Sequence, residues 1–597
     1  MKKLLTVNAK RRFLLLLLVV LLLLGIASTN KAEPTHAQSS PPRTVFVHLF
    51  EWKWTDIAQE CENFLGPNGF SAVQVSPPNE HAVVAGYPWY ERYQPVSYQV
   101  ESRSGTRAEF ADMASRCGAV GVDIYVDAVI NHMTGVGSGT GINGSTYTNY
   151  NYPGLYSYWD FHHCGRNGND DIVNYGDRWE VQNCELVNLA DLDTGSAYVR
   201  TQIVNYMNDL ISLGVDGFRI DASKHMDTND INAIVSQLNG NPYIFQEVID
   251  QGGEPITAGE YFQNGDVTEF KYSVEIGNTF FNGQLSWLSQ FGTAWGFMPS
   301  DKAVVFVDNH DNQRGHGGGG HVVTHKDGAL YDITNVFMLA WPYGYPKIMS
   351  SYDFSTDSQG PPSDANGNTN SIYSNGVPNC FNEWKCEHRW QPIANMVAFR
   401  NYTADDFYVS NWWSNGGNQI AFGRGDSGFV AINKESYNLT GWYQTGMPEG
   451  DYCDIINGNY SNGTCSGATI HVYADGTAYF DVAPWDASAI HVGAQVTGGG
   501  CANADVHFNV NNATTYWGQN VYVVGSVPEL GNWNTANAVL LSPTNYPTWD
   551  GTVSISGGTA VAYKYIKVDG GNVVWQSGSN NTLTTSCGGT MNTNDNW

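Results

Sequence analysis

The chain has 597 residues, enough for about four domains. Its 29 Lys and Arg against 57 Asp and Glu give a formal charge of −28, which argues against a nucleic-acid partner, because phosphate binding needs clustered cations. An apolar fraction of 42% can fill large cores and argues against a disordered chain, while 13% aromatic residues suit flat, amphipathic contact surfaces as well as core packing.

Residues 1–37 read as a signal peptide. Lys2, Lys3, Lys10, Arg11 and Arg12 precede an apolar run from Phe13 to about Ala27, and Thr35-His36-Ala37 follows as a cleavage site. The run is short for a bilayer span, so a membrane anchor is the lesser alternative. Arg11-Arg12-Phe13 hints at twin-arginine export, but the Leu run fits the general route better. A secreted, extracellular protein follows, with no membrane contact once the peptide is removed. Ten cysteines lie beyond the peptide: Cys61, Cys117, Cys164, Cys184, Cys380, Cys386, Cys453, Cys465, Cys501 and Cys587. An even count in an exported chain argues for disulfides, and no CxxC pair supports a zinc ribbon or a thioredoxin-like site. Cys380/Cys386 and Cys453/Cys465 are close enough in sequence to be local staples.

Near-continuous apolar runs occur at 44–52 (TVFVHLFEW), 71–78, 122–132, 215–225, 243–250 and 303–311. They suit parallel strands buried on both faces. Helical patterns at 106–121, 196–214 and 229–238 lie between them. This alternation predicts a closed (β/α)8 barrel over 38–132 and 191–407, with an open doubly wound sheet as the alternative. The gap after the 122–132 strand is too long for one crossover. We read 133–190 as an inserted lobe stapled by Cys164 and Cys184. From 408 to 495 short alternating segments predict an antiparallel β-domain. A Gly-rich linker follows at 496–500, then a small β-sandwich over 501–597.

In such a barrel, polar residues at the carboxyl ends of strands line the active site. Asp221, Glu247 and Asp311 fall there on three different strands. Like charges raise one another's pKa, so convergence is costly unless function needs it. Glycoside hydrolysis does: one carboxylate attacks the sugar carbon, a carboxylic acid protonates the leaving oxygen, and further negative charge stabilises the oxocarbenium-like transition state. The plainer alternative is that each caps a helix or pairs with Arg219 or Arg314.

Four segments carry a resemblance: DAVINH (127–132), GFRIDASKH (217–225), IFQEV (244–248) and FVDNHD (306–311). In order and spacing they resemble the short motifs of the α-amylase family of glycoside hydrolases, family 13. The likeness covers about 43–495, including FEWKWTDIAQEC and PWYERYQPVSY segments similar to those of animal-type enzymes and their bacterial relatives. It implies that Asp221 is the nucleophile, Glu247 the general acid/base, and Asp311 the third carboxylate, which grips substrate hydroxyls. By the same resemblance His132, His310 and Arg219 steer the sugar and hold the nucleophile ionised. Trp89, Tyr90, Tyr93 and Gln94 belong to the substrate wall, and core packing is the alternative for Trp89 and Tyr90. Lys224, His225 and Ile249 match subsites beyond the cleavage point. Arg219 precedes Asp221 by two residues, so on a strand both point to one face.

The resemblance also implies a structural Ca²⁺ held by the side chains of Asn131 and Asp191 and the backbone carbonyls of Gln182 and His225, all hard oxygen donors. An EF-hand is a poor alternative, because DNHDNQ at 308–313 lacks Gly at the sixth position. Arg219, Asn309 and Lys347 match a chloride site. An anion beside Glu247 favours its protonated form. Direct pairing of Lys347 with Glu247 is the alternative. The Gly-rich loop at 314–321 resembles a mobile loop beside the cleft where His316 touches substrate, and no GK[ST] follows it to suggest phosphate binding.

Residues 501–597 resemble a family 20 starch-binding module through VYVVGSVPELGNW (521–533), AYKYIKV (562–568) and VVWQSG (573–578). Trp533 and Trp575 match a paired sugar platform, with Lys564 and Asn580 as hydrogen-bonding partners. Tyr546 and Trp549 match a second site, as does Trp517. A sandwich core built on these tryptophans is the alternative. The implied bridges are Cys61–Cys117, Cys164–Cys184, Cys380–Cys386, Cys453–Cys465 and Cys501–Cys587. Taken together, the resemblance implies a secreted, monomeric, retaining, endo-acting α-1,4-glucan hydrolase with Ca²⁺ and chloride. Its partners are starch, glycogen and maltooligosaccharides. An exo-type or maltooligosaccharide-forming relative and a transglycosylase are alternatives. A non-catalytic starch-binding protein is disfavoured by the three carboxylates.

Overall fold

The computed structural model describes residues 43–135, 137–497, 503–586 and 588–597. The signal peptide and the Cys501–Cys587 bridge expected from the sequence lie outside the described residues. Eight strands close into an all-parallel barrel: β1 (Phe46–Leu49), β2 (Ala72–Val75), β3 (Asp123–Ala128), β4 (Gly217–Ile220), β5 (Tyr243–Gln246), β6 (Asp266–Thr268), β7 (Ala303–Val305) and β8 (Tyr345–Ser350). Each pairs with its neighbours in sequence, and β8 returns to β1 through Phe46↔Lys347 and Leu49↔Ser350. The open sheet is therefore excluded.

The barrel interior has two chemically distinct ends. Phe46, Ala72, Tyr125, Phe245 and Val304 form one apolar cluster, flanked by Tyr243 and Tyr345. Side chains alternate across a strand, so two residues further on the same strand face returns. There the sequence places His48, Gln74, Asp127, Arg219 and Lys347, all buried. The amino end is thus plugged by rings, and the carboxyl end holds polar and charged groups.

Local signals explain the surrounding helices. Arg107–Ala119 starts at a capping box in which Thr106 and Glu109 satisfy each other's backbone N–H groups. Thr228–Val235 starts where the Asp227 side chain accepts from the Asn229 N–H. The disulfide Cys61–Cys117 ties the carboxyl side of helix Trp54–Glu60 to Arg107–Ala119. The chain after β2 forms an antiparallel pair, Asn79–His81 with Pro95–Val100, and carries the turn Trp89–Tyr93 between them.

Between β3 and β4 lie a hairpin, Ser138–Thr140 with Thr146–Thr148, the helix Arg178–Asn183 and the Cys164–Cys184 bridge. Beyond the barrel, two four-stranded antiparallel sheets pack together. One holds Ser410–Ser414, Gln419–Arg424, Gly428–Asn433 and Asp486–His491, and the other Leu439–Gln444, Thr477–Val482, Thr469–Val472 and Gly450–Cys453. Cys380–Cys386 and Cys453–Cys465 close short loops. Residues from Ala504 onward form two five-stranded sheets around their own apolar core. No helix among the described residues is long and apolar enough to cross a membrane.

Candidate active site

The rim of the barrel is fixed by ladder hydrogen bonds that run one residue past the strands. The Asp221 N–H donates to Ala128 O at 3.1 Å, and the Glu247 N–H donates to Ile220 O at 3.0 Å. Both carboxylates therefore emerge at the carboxyl mouth. Beneath them the guanidinium of Arg219 donates to Asp127 and, at 2.7 Å, to Asp221 Oδ1, and it lies 2.9 Å from Glu247 Oε1. The other Glu247 oxygen accepts the Ala222 N–H at 2.9 Å. Ala222 takes a left-handed backbone, φ 48°, to aim that N–H. For a residue with a Cβ this strain costs about 1–3 kcal/mol and is held by the surrounding structure.

Asp311 follows β7, its N–H donating to Asn309 Oδ1 at 3.0 Å, with His310 Nε2 3.3 Å from its carboxylate. It does not pair with Arg314, which is turned toward Phe354, Phe50 and Tyr352. The ring of His310 stacks on Tyr93, centroids 5.3 Å apart.

Three carboxylates on one guanidinium leave an excess of negative charge. Burial pushes Asp221 well above the usual carboxylate range; Arg219 opposes it, and Glu247 and Asp127 add to the rise. Burial raises Asp127 as well. Asp311 is pushed up to about 7, by burial first and then by Glu247. Such a cluster favours keeping a proton among its members. Burial drives His132 and His225 down to about 4 and His310 well below its ordinary value, so these rings are neutral near pH 7.

These groups face a cleft of about 750 Å³. Of the expected residues, Trp89, Tyr90, Tyr93, His132, Lys224, His225, Ile249, His310 and His316 line it together with Asp221, Glu247 and Asp311. Two do not. Arg219 lies below the carboxylates, and Gln94 turns away so that its side-chain oxygen accepts the Gly135 N–H at 3.0 Å. Gln94 thus braces the inserted lobe, a correction to its expected place on the wall. The sequence reading missed Asp127, which also accepts from Tyr93 OH at 2.9 Å, and the lobe residues Tyr175, Leu186, Val187 and Leu189, which complete the wall. Asp127 stands two residues after Tyr125 on β3, an inward parity that could have flagged it.

Among the described residues no three His, Cys, Asp or Glu side chains gather as a metal site. The expected Ca²⁺ set is of another kind, an amide, a carboxylate and carbonyls. Asn131 Oδ1 is buried with no hydrogen-bond partner, and the buried Asp191 is its neighbour. The His225 ring donates from Nδ1 to Val181 O at 3.0 Å, which brings it against the segment of Gln182. An orphaned buried oxygen beside a buried carboxylate fits a hard cation. Lys347 is also buried. Its ammonium lies 5.0 Å from the Phe306 ring centre, and no carboxylate among the described residues pairs with it. Glu247 pairs with Arg219 instead, so the alternative of a Lys347–Glu247 ion pair is not found. A buried ammonium without a carboxylate fits a small anion.

In the C-terminal module, the rings of Trp533 and Trp575 lie 6.4 Å apart at 36°. Lys564 Nζ donates to Gln576 O at 3.0 Å and Gly578 O at 2.6 Å, and Asn580 is exposed nearby in sequence. Trp517 and Tyr546 are exposed. Trp549 is not a platform. It is 2% exposed, packs in the module's core and donates its indole N–H to Ala513 O at 3.1 Å.

A closed barrel with acidic groups at its carboxyl mouth, followed by all-β domains, is the architecture of a multidomain barrel enzyme. Comparison with known proteins agrees. Residues 65–253 match the family described as alpha amylase, catalytic domain; 412–493 match the alpha amylase C-terminal all-beta domain; and 503–595 match the starch binding domain. An alpha-amylase of Streptomyces violaceus is 46% identical over 576 residues, covering 94% of this chain and 95% of that protein. One from Pecten maximus is 51% identical over 478 residues, 76% of this chain and 94% of that protein. The crystal structure of alpha-amylase I from Eisenia fetida superposes with a TM-score of 0.72 at 45% identity, covering 76% of this chain and 98% of that one. A Glu-to-Gln variant of that enzyme is known in complex with maltohexaose. The chain belongs to the α-amylase family of glycoside hydrolases and carries a starch-binding module.

Proposed function

We propose that the protein is a secreted, endo-acting α-1,4-glucan hydrolase that retains anomeric configuration and holds granular starch through its C-terminal module. The single observation that carries the reading is that Asp221 and Glu247 are bound to one guanidinium at the mouth of one cleft. Retention needs two carboxyl groups close together at one scissile bond, about 5–5.5 Å apart, and the shared guanidinium keeps Asp221 and Glu247 near each other at the cleft.

In this mechanism Asp221 attacks the anomeric carbon while Glu247 gives a proton to the glycosidic oxygen. The first product leaves, and Glu247 then takes a proton from water as the water displaces Asp221. Asp311 and the neutral rings of His132 and His310 bind hydroxyls of the sugar at the cleavage point. Trp89, Tyr90 and Tyr93 supply ring faces for the apolar faces of glucose. Glycogen and maltooligosaccharides fit the same cleft.

Asn131, Asp191 and the carbonyls of Gln182 and His225 would hold Ca²⁺, which supplies a cross-link between the lobe and the barrel. Arg219, Asn309 and Lys347 would hold chloride, which supplies negative potential beside the acid. Trp533 and Trp575 form the sugar platform of the module, with Trp517 and Tyr546 at a second one.

The test is a time course on soluble starch, following product length and the anomer first released, with and without chelator and chloride. Early long products in the α configuration are expected, with thermal stability falling on chelation. A first product in the β configuration would overturn the mechanism, and short products alone from the outset would favour an exo-acting relative.

A further inference from the structure

The domain that follows the barrel carries an aromatic cluster that no part of the mechanism uses. On the sheet Leu439–Gln444, Thr477–Val482, Thr469–Val472 and Gly450–Cys453, the inward side chains Tyr443, Ala478, Phe480 and Val472 fill the core. The outward face presents Trp442, Tyr479 and, at the adjoining hairpin, Tyr473, which are 60%, 46% and 47% exposed. Trp442 and Tyr479 stand directly opposite across the ladder. The Trp442 ring lies 5.5 Å from Tyr479 at 62° and 5.5 Å from Tyr473 at 56°. Trp442 is thus flanked by two inclined rings in an open cradle. His471 sits edge-on to Tyr473 at 4.4 Å and bonds Asp451 at 2.8 Å, which places polar groups along one border.

We propose that this face is a binding site for an α-1,4-glucan chain, separate from both the catalytic cleft and the starch-binding module. A lone cross-strand pair would be explained by sheet stability. Three contiguous exposed rings exceed that need, and such patches mark interaction surfaces. Charge selects the occupant. No Lys or Arg occurs between Lys434 and Lys564, while Asp451 and Asp481 border the rings, so phosphate-bearing polymers and anionic membranes are repelled. An uncharged polymer that offers apolar ring faces and rim hydroxyls fits. Inclined rings suit a curved glucan, and the module's pair Trp533 and Trp575 is likewise inclined, at 36°. The inference rests on the reading of starch as substrate.

The test uses the full chain carrying Glu247→Gln, which blocks digestion, in gels containing soluble amylopectin. Trp442→Ala with Tyr479→Ala, added to that chain and to one also lacking Trp533 and Trp575, is expected to weaken retardation at least threefold in each. Hydrolysis of a short chromogenic maltooligosaccharide by Trp442→Ala, Tyr479→Ala in the otherwise native chain stays unchanged, and Trp442→Phe keeps most of the retardation. A parent that is retarded equally with and without the two rings overturns the inference alone, and so does a change in melting temperature without a change in retardation. A parent that is not retarded at all overturns the starch reading and the inference with it.

Discussion

In the cleft, Trp89 is 7% exposed and is packed against Phe50, Tyr93 and His310, beside carboxylates that share a buried arginine. In the C-terminal module, Trp575 is 42% exposed and Trp517 is entirely open to solvent. On the proposed function, the same residue type meets sugar under two sets of constraints. Breaking a bond requires charges held in low dielectric, and those are tolerated only when each is hydrogen-bonded and paired. Holding a chain requires ring faces and little else. Substitutions in the cleft should therefore act jointly, and those on the module singly.

The largest effect tests the joint action. Asp221→Asn or Glu247→Gln is expected to lower kcat on soluble starch by about 10³-fold or more, and the double variant to be little worse than either. Granule adsorption stays. A double variant whose loss is the product of the two single losses would mean that they do not act on one bond.

Asp127→Asn comes next. It removes a negative charge from beside Arg219 and Glu247 without touching substrate. With one anion fewer the remaining carboxylates lose their proton more readily, so the alkaline limb of the pH–rate profile moves to lower pH. The expected loss of kcat is about tenfold, or roughly 1.4 kcal/mol in the barrier. An unshifted limb would show that Asp127 is structural only.

Asp127 also marks where the sequence could be read and where it could not. The motifs around Asp221, Glu247 and Asp311 are contiguous, and the strands that lead to all three read as apolar runs. β6 was not, because its three residues include Asp266 and Thr268, nor was β8, whose run is broken by Pro346 and Lys347. Asp127 reads as one polar residue within a strand. Its importance comes from Arg219 on β4, and that contact exists only once the barrel closes. Trp549 fails for the related reason: whether an indole on a strand faces sugar or core depends on which sheet covers it. Here its N–H finds a carbonyl inside.

The module gives a smaller effect. Trp533→Ala with Trp575→Ala is expected to weaken adsorption to raw granules about tenfold, while kcat/KM on soluble starch stays within about twofold. Loss of soluble activity on the same scale would erase the distinction drawn between the two regions.

The smallest effect concerns a buried charge that does no chemistry. Glu387 lies under the barrel mouth, accepting the Ser351 N–H at 2.7 Å and the Ser351 hydroxyl, with His325 Nδ1 3.4 Å away. No arginine pairs with it among the described residues, and burial pushes it up to about 7 against the pull of the serine. Its folded pKa exceeds its unfolded value of 4.5, so the fold favours the protonated form. That contribution is complete below about pH 4.5 and is lost as pH rises through 7, an upper limit of about 3 kcal/mol. The neighbours do not mask it: burial holds His325 down to about 4 and raises Asp308 well above the usual range. Glu387→Gln should therefore flatten the fall in melting temperature between pH 5 and 8. The flattening is partial, because Glu51 and Asp311 are also raised to about 7. A change of roughly 2 °C in the slope over that window is expected. Parallel melting curves for the native chain and the variant would mean that Glu387 is ionised throughout, and a buried carboxylate would then need no arginine to stay charged in this fold.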